Sequence, residues 1–440
     1  MYNLKLKSSE NRGELMKKII VFLLLTFVVV SGCSNKSSSS NGSNGDEKEI
    51  TVWAWDVAAA TLEKAIDDFQ EEYPEVEVNV QDIGSGDLYE KLTVSLVSKG
   101  EGMPDVVLVE DELIPGYINQ FPDAFASLSD NGYGDYEDLF NDAKMNNVTF
   151  DDNIMAAPWD IGTAGVFYRT DIFEEAGIDA DEIETWDDYL EAGKEVVEKT
   201  DSKMIPIDIP NYDGVFAMMM HQQGLSYIDE NGDIALDSEE AIRSMEMIKE
   251  FYENGIVLNN SGWDGMVTAT VNGDVATIPY GVWYSGTIMD QAPDLEGNWD
   301  MMYLPAFEEG GTRYANEGGA ALMVSNYSDS QESAYDFVEF ITTNEDVQEY
   351  GFEEYGLFPS LNKTYDSDVI QRESEYFNNK PIFKEFADVT DEVPEINITE
   401  DYKRIAEEME DTQARILLDD QPVEESLSRA IDNLKNDIED

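Results

Sequence analysis

The sequence predicts an α/β protein with two domains, and three observations support this expectation. Between residues 50 and 109, β-branched or apolar runs alternate with helical periodicity in the order strand, helix, strand, helix, strand. This order is typical of a parallel, doubly wound sheet. The apolar fraction of 42% is ample for a large core. A length of 440 residues suits two domains better than one.

The first five elements follow from local pattern. Residues 50–55 are β-branched and aromatic, which predicts a strand, and residues 59–72 carry apolar side chains at helical spacing. Residues 76–80 alternate apolar and polar side chains as a strand does, and a second helix is expected at 87–99. An apolar strand follows at 105–109. Because ligands of such sheets bind beyond the carboxyl ends of the strands, residues directly after the first and third strands share one rim.

The remainder of the chain continues the mixture of strands and helices without an internal repeat. The expected strands are Gly165 to Tyr168, Val275 to Ile278 and Ala320 to Val324. The expected helices are Trp186 to Lys199, Ser238 to Asn254, Asp329 to Thr342 and the acidic stretch Tyr402 to Asn436.

The N-terminal segment is predicted to direct export. A basic head at Met16 to Lys18 precedes the apolar run Ile19 to Val30, which is too short to span a bilayer comfortably. The run ends at Ser31-Gly32-Cys33, which resembles the lipobox of bacterial lipoprotein signals and implies cleavage before Cys33 and lipidation of its sulfur. We therefore expect residues 1–32 to be a signal peptide whose start lies at Met16. Residues 33–47, rich in Ser, Asn and Gly, are expected to be a flexible tether.

Charge and composition exclude several classes of function. The 95 acidic and 27 basic residues give a formal net charge of −68, which repels nucleic acid. This acidity serves either a cationic ligand or a solvated surface suited to a salty medium, and its spread along the whole chain favours the second. A single cysteine and a single histidine, His221, exclude an internal disulfide and Cys/His zinc sites. No metal or cofactor is expected.

Seven short blocks between residues 50 and 360 carry a resemblance to a known family, and they occur in the order that the family uses. They are Ile50 to Trp55, Gly102 to Val107, Pro158 to Phe173, Thr185 to Tyr189, Asn272 to Ala276 before Gly281 to Tyr284, Gly318 to Ala320, and Tyr355 to Pro359. Together they resemble the extracellular solute-binding proteins of carbohydrate importers, the group that includes maltose-binding proteins.

The resemblance implies a two-lobed fold of the periplasmic-binding-protein kind. Each lobe would be a mostly parallel sheet flanked by helices, with lobe 1 formed by residues 48–157 plus 318–358. Lobe 2 would be formed by residues 160–315 plus 360–440. Hinge strands would cross between the lobes near 157–162, near 315–319 and after Phe358.

The resemblance also implies a function. The chain would bind a mono- or oligosaccharide in the cleft between the lobes and deliver it to the permease of an ABC importer. It would be a monomer and not an enzyme, and it would be held only by its lipid at the extracellular face of the membrane of a Gram-positive bacterium.

The chemistry of sugars selects the candidate ligand-binding residues. Aromatic planes suit the C–H faces of a sugar ring, and carboxylates accept hydrogen bonds from its hydroxyl groups. The residues that combine these properties near strand ends or expected crossings are Trp55, Asp56, Glu110, Asp111, Trp159, Asp160, Trp263, Trp283, Tyr284 and Gly318. Core packing of Trp55, simple solvation of the acids after the third strand, and a tight crossing turn at Gly318 are the alternatives.

Other functions remain open on the sequence alone. A receptor for a cationic solute such as a polyamine would suit the carboxylates, and a secreted glycoside hydrolase would need only a pair of them. An adhesion lipoprotein without a transport role is a third alternative.

Overall fold

The structure, a computed structural model, describes residues 48–439. The predicted signal peptide, the lipidated Cys33 and the tether lie outside the described residues. The strands of the described chain are β1 (Lys48–Ala54), β2 (Val76–Asp82), β3 (Val106–Glu110), β4 (Thr149–Phe150), β5 (Asn153–Ile154), β6 (Ala157–Pro158), β7 (Ala164–Arg169), β8 (Ile205–Ile207), β9 (Val257–Asn259), β10 (Thr277–Gly281), β11 (Trp299–Met302) and β12 (Ala320–Val324).

Helices surround these strands. They are α1 (Asp56–Glu72), α2 (Ser85–Val97), α3 (Ile114–Gln120), α4 (Asp142–Val148), α5 (Thr170–Ala176), α6 (Trp186–Lys199), α7 (Gly214–Gln222), α8 (Glu239–Glu253), α9 (Gly262–Asn272), α10 (Tyr284–Gln291), α11 (Gln331–Thr343), α12 (Glu345–Tyr355), α13 (Asp368–Gln371), α14 (Ile382–Val389), α15 (Tyr402–Leu418) and α16 (Val423–Glu439). Short 3₁₀ helices lie at Asp111–Leu113, Ser129–Asn131, Tyr133–Leu139, Ala180–Glu182, Pro293–Leu295, Asn362–Asp366 and Thr390–Glu392.

The first sheet has the strand order β2-β1-β3-β12-β6. β1 pairs in parallel with both β2 and β3, with Val52 opposite Val80 on one side and Val106 on the other. The predicted parallel sheet of the first three strands is therefore confirmed. β12 adds antiparallel to β3 and to β6, so a segment more than 200 residues later in the chain completes this sheet.

Helix α1 illustrates how local pattern becomes packing. Leu62, Ala65 and Phe69 recur at helical spacing and are fully buried against the first sheet. Phe69 makes an edge-on contact with Phe337 of α11, with ring centroids 5.1 Å apart. Chain segments separated by about 270 residues thus share one hydrophobic core.

The second sheet differs from the expected mostly parallel arrangement. β7 lies between β10 and β11 and pairs antiparallel with both, so the expectation is wrong for this sheet. Parallel pairing in this part of the chain joins β8 to β9, and it also occurs in isolated bridges between Lys203 and Val275 and between Thr185 and Ala306. Whether the neighbours of β7 run parallel or antiparallel to it depends on how distant segments of the chain pack beside it. Local periodicity does not indicate this direction.

Strand β7 is buried along its whole length because both of its faces are covered. Alternate side chains enter different cores, with Val166 and Tyr168 in a cluster around Trp186 and Phe167 in a second cluster around Trp299. Helix α6 covers one of these faces. Its predicted cap, Thr185, accepts a hydrogen bond from the Asp188 N–H, and the Asp188 carboxylate accepts one in return from the Thr185 N–H.

Two segments connect the two sheets, a third follows α12 without leading into a strand, and these segments hydrogen-bond to one another. We call residues 159–163, 316–319 and 358–360 the crossing segments. The Ile161 N–H donates to the carbonyl of Phe358 at 3.2 Å, and the Glu317 N–H donates to the carbonyl of Gly162 at 2.7 Å. A Cβ atom at Gly162 would lie 2.2 Å from the Glu317 carbonyl oxygen, so this close approach requires glycine.

A buried ion pair holds the end of the second crossing segment. The ammonium group of Lys144 lies 2.7 Å from the carboxylate oxygens of Asp111 and donates to the Ala320 carbonyl at 2.8 Å. The Ala320 N–H donates in turn to the Asp160 carboxylate at 2.7 Å. Both backbone polar groups of Ala320 are therefore bound to charged side chains inside the protein.

The C-terminal stretch forms two helices, α15 and α16, where the sequence predicted one helical region. Pro422 lies in the short connection between them, and its ring is incompatible with a continuous helix. Among residues 48–439, none of the helices combines the length and apolarity needed to cross a bilayer.

Candidate functional site

A cleft of about 2020 Å³ lies beside the crossing segments. Its lining comes from the segments that follow β1 and β3, from the crossing segments, and from helices α7, α9 and α15. Residues of both sheets therefore face one cavity, and its position at the carboxyl ends of β1 and β3 is the one predicted for a doubly wound sheet.

The segments beside the first sheet contribute an aromatic pair and a carboxylate. Trp55 precedes α1, and its ring centroid lies 5.9 Å from that of Tyr89 on α2. The backbone N–H of Glu110, at the end of β3, donates to the Tyr89 hydroxyl at 3.1 Å. Burial raises the pKa of the Glu110 carboxyl. Asp56 is exposed at the same rim, and its N–H donates to the Asp82 carboxylate.

The second sheet and the segments beside it contribute a larger group of rings, which we call the aromatic wall: Tyr212, Tyr280, Trp263, Trp283. Trp263 and Trp283 are stacked, with centroids 6.0 Å apart and planes inclined by 26°. Trp263 is 46% exposed, which is unusual for a large ring and leaves apolar surface open to a ligand. Tyr280 lies edge-on to Trp283 at 5.1 Å, and Tyr212 lies 6.4 Å from Tyr280.

Tyr284 supports the aromatic wall from behind. It is fully buried, it contacts Trp263 edge-on at 5.6 Å, and its hydroxyl shares a hydrogen bond of 2.8 Å with Thr270. Its ring therefore packs in the core, and it does not line the cleft.

Two buried carboxyl groups in the cleft are held by tyrosine hydroxyls. Glu317 accepts from the Tyr212 hydroxyl at 2.5 Å, and Asp213 accepts from the Tyr227 hydroxyl at 2.6 Å. Burial raises the pKa of each carboxyl to about 7, and the tyrosine hydrogen bonds limit the rise.

Further titratable groups border the cavity near the crossing segments. Burial raises the pKa of Glu112 to about 8, with Asp111 and Glu110 adding like charge. Burial lowers the pKa of His221 to about 4, so this imidazole is neutral at physiological pH, and its Nδ1 lies 3.1 Å from the Asn316 carbonyl.

The structure brings most of the predicted site residues together. Those that line the cleft are Trp55, Asp56, Glu110, Trp159, Asp160, Trp263, Trp283 and Gly318. Trp159 is fully buried at the base of the cleft, and Asp160 binds the Ala320 N–H. Asp111 borders a separate small cavity of about 60 Å³, where it is paired with Lys144. The contribution of each residue to ligand binding stays a prediction.

Sequence reasoning missed Tyr89, Tyr280 and Glu317. A signal existed for two of them, because Tyr280 directly precedes the Gly281 to Tyr284 block and Glu317 directly precedes Gly318. Tyr89 lies within a helix whose apolar spacing indicates core packing, so no local feature pointed to the cleft.

Comparison with known proteins agrees with this architecture. The family of bacterial extracellular solute-binding proteins matches residues 54–348, and the chain belongs to this family. A lactose-binding protein of Rhizobium radiobacter is 30% identical over 361 residues, which cover 79% of this chain and 83% of the relative. An arabinooligosaccharide-binding protein of Halalkalibacterium halodurans is 30% identical over 370 residues, which cover 82% of each chain.

Solved structures of similar fold include sugar complexes. The ABC transporter associated binding protein from B. animalis subsp. lactis, in complex with β-1,6-galactobiose, has a TM-score of 0.75 at 24% identity and covers 88% of this chain and 96% of its own. Maltose-bound MalE3 of T. maritima has a TM-score of 0.75 at 20% identity and covers 88% of this chain and 99% of its own. The predicted two-lobed α/β fold and the predicted solute-binding family are therefore confirmed.

The raised pKa values in the cleft predict a pH dependence of stability. Because the pKa of Glu317 is higher in the folded chain than its ordinary value, the folded state binds the proton more tightly. Its contribution to stability is therefore complete below about pH 4 and is lost as the pH rises through about 7. We expect Glu317→Gln to make the free energy of unfolding fall less steeply over this interval, as measured by urea denaturation.

The matched control is Glu246→Gln, which changes an exposed acid of α8. This variant should follow the pH profile of the parent protein. An identical profile for Glu317→Gln and the parent would contradict the assignment.

Proposed function

We propose that this protein captures a carbohydrate in its cleft and delivers it to the permease of an ABC importer. The observation that carries the proposal is the aromatic wall, in which a half-exposed Trp263 stacks on Trp283 beside carboxyl groups. Flat rings favour the C–H faces of a sugar, and carboxylates accept hydrogen bonds from its hydroxyl groups. Two similar proteins are a lactose-binding protein and an arabinooligosaccharide-binding protein, which supports a carbohydrate ligand for this chain as well.

The charge of the cleft supports a ligand without phosphate or carboxylate groups. Of the described residues that line the cleft, Lys403 is the single lysine or arginine, and the acidic residues include the exposed Asp82 and Asp264. The negative charges of these residues would repel a negatively charged group of a ligand. An anionic sugar derivative would therefore be disfavoured.

We further propose that the crossing segments act as the hinge between lobe 1 (residues 48–157 plus 318–358) and lobe 2 (residues 160–315 plus 360–440). The separation of the hydrophobic clusters supports this division, because the first sheet and the second sheet pack into different cores. A closing motion about hinge segments would bring the Trp55 rim and the aromatic wall onto opposite sides of one sugar, and the closed monomer would dock on the permease.

We expect a thermal-shift screen to identify the ligand. Lactose, arabinotriose or maltose should raise the melting temperature of the chain, because a ligand that binds the folded state stabilises it. Spermidine and glucose 6-phosphate should leave the melting temperature unchanged.

The same screen separates the alternatives. A shift with spermidine and none with neutral sugars would favour a receptor for cationic solutes. Chromatography of the bound sugar after prolonged incubation should return it unchanged, whereas cleavage products would indicate a glycoside hydrolase.

Truncation of the aromatic wall should weaken sugar binding. We expect Trp283→Ala to cost about 1–3 kcal/mol of binding free energy, measured by calorimetry, because the stacking surface is lost. The folded state should persist, as judged by circular dichroism.

Tyr327→Ala is the control for this variant, because Tyr327 is an exposed aromatic residue that does not line the cleft. Its affinity for the sugar should equal that of the parent. Equal affinity of Trp283→Ala and the parent would contradict the proposed role of Trp283 in sugar binding.

We also propose that the protein is a lipoprotein anchored by Cys33 at the extracellular face of the membrane. The apolar run Ile19 to Val30 followed by Ser31-Gly32-Cys33 supports lipidation, and Cys33 is the sole cysteine of the chain. Acyl chains on that residue would hold the protein stably, and the segment at 33–47 would act as a tether.

Replacement of the anchor residue should change the location of the protein. In cells that express the full chain, Cys33→Ser should abolish labelling with a palmitate analogue, because the sulfur that accepts the lipid is missing. Cell fractionation is the accompanying measurement. Ser34→Ala, next to the same site, should keep the label and the membrane location, and labelling of Cys33→Ser would contradict the proposal.

A further inference from the structure

Glu317 is connected to more parts of the site than any of its neighbours on the second crossing segment. Its backbone N–H donates to the Gly162 carbonyl of the first crossing segment at 2.7 Å. Its backbone carbonyl accepts from Nε1 of Trp283 at 3.0 Å. One residue therefore binds another crossing segment through its N–H and the aromatic wall through its carbonyl.

The side chain of Glu317 extends this connection. One carboxylate oxygen accepts from the Tyr212 hydroxyl at 2.5 Å, and the other accepts from the Gly281 N–H at 3.1 Å. Gly281 ends β10, two residues before Trp283, so the carboxylate also holds the strand end from which that ring projects.

The packing around Glu317 leaves little room for independent movement. A Cβ atom at Gly281 would lie 2.4 Å from the Glu317 carbonyl oxygen and 2.5 Å from Nε1 of Trp283. A Cβ atom at Gly318, which has a φ of 81°, would lie 2.9 Å from the same Nε1. The two glycines thus allow the crossing segment, β10 and the indole ring to pack in direct contact.

We propose that Glu317 is a positioning residue that couples the aromatic wall to the crossing segments, so that lobe closure and placement of Trp283 and Tyr212 are one motion. The inference rests on the proposed function, because the aromatic wall is taken to be the sugar-binding surface. A change in the backbone of residue 317 during closure necessarily moves the carbonyl that holds Trp283. Binding at the wall is transmitted to the crossing segments through the same contacts.

Direct ligand contact is a weaker explanation for Glu317. The side chain belongs to a residue that is only 8% exposed, and both carboxylate oxygens already accept hydrogen bonds from the protein. Its carboxylate is bound by Tyr212, and it interacts electrostatically with Tyr280, Glu110, Glu112 and Tyr402. A residue so enclosed acts on the ligand through the rings that it holds.

Three variants separate the contacts of Glu317. Glu317→Ala removes both carboxylate hydrogen bonds, and Glu317→Gln keeps the size but retains a single acceptor oxygen. Trp283→Phe keeps an aromatic ring and removes the Nε1 donor. Glu246→Gln, the exposed acid of α8, is the matched control for loss of a charge.

The first measurement needs no ligand. Hydrogen exchange of the chain without sugar should become about tenfold faster at the Gly281 amide and in residues 281–287 in Glu317→Ala, with a smaller change in Glu317→Gln. Trp283→Phe should increase exchange in residues 316–319, because the carbonyl of Glu317 loses its donor. The control should match the parent.

The second measurement is a double-mutant cycle on sugar affinity. With lactose or arabinotriose, whichever binds in the screen, Tyr212→Phe and Glu317→Ala should each weaken binding about tenfold, and the double variant should be no weaker than Glu317→Ala. Small-angle scattering should show a reduced change in radius of gyration on sugar addition in Glu317→Ala.

The outcomes distinguish this inference from the proposed function. If no sugar binds the parent protein, the proposed function fails, while the exchange experiment still reports on the coupling. If sugar binds but exchange in residues 281–287 is unchanged in Glu317→Ala, the coupling is overturned. Additive losses in the cycle would overturn it as well, because they would show that Tyr212 and Glu317 act separately.

Discussion

The buried ion pair between Lys144 and Asp111 constrains the whole structure, because it fixes where β12 enters the first sheet. The ammonium group is 1% exposed and the carboxylate 2%, so neither can be satisfied by water. Removal of one partner of such a pair leaves an uncompensated buried charge and costs about 3–5 kcal/mol. Lys144 also binds the Ala320 carbonyl, so the same ammonium group that pairs with Asp111 sets the position of the second crossing segment.

The position of Ala320, which is bound by Lys144, also affects the geometry of the cleft. Ala320 follows Gly318 and Gly319, and the Asp111 N–H donates to the Gly319 carbonyl at 3.0 Å. Glu317, three residues before Ala320, is thereby placed against Gly281 and the aromatic wall. Residues on both sides of the crossing segments line the cleft, and this arrangement suits the proposed hinge between two lobes.

The cleft also buries two acidic side chains, Glu317 and Asp213, beside tyrosine rings. A carboxyl group removed from water is destabilised in its charged form, and here tyrosine hydroxyls offset part of that cost at Glu317 and Asp213. Acidic residues such as Glu246 are exposed to water, where salt screens their charges, whereas Glu317 and Asp213 are buried in the cleft.

The amino-acid sequence by itself determined the order strand, helix, strand, helix, strand in residues 50–109 and the rim after β1 and β3, because side-chain periodicity and chain direction are local properties. It also placed Trp55, Asp56 and Glu110 at that rim, where they line the cleft. Only the tertiary structure decided that β7 pairs antiparallel with its neighbours and that Asp111 forms a buried ion pair with Lys144. It also decided that Tyr212 donates a hydrogen bond to Glu317, which lies 105 residues later in the chain. These pairings depend on how distant segments pack, and no local pattern carries that information.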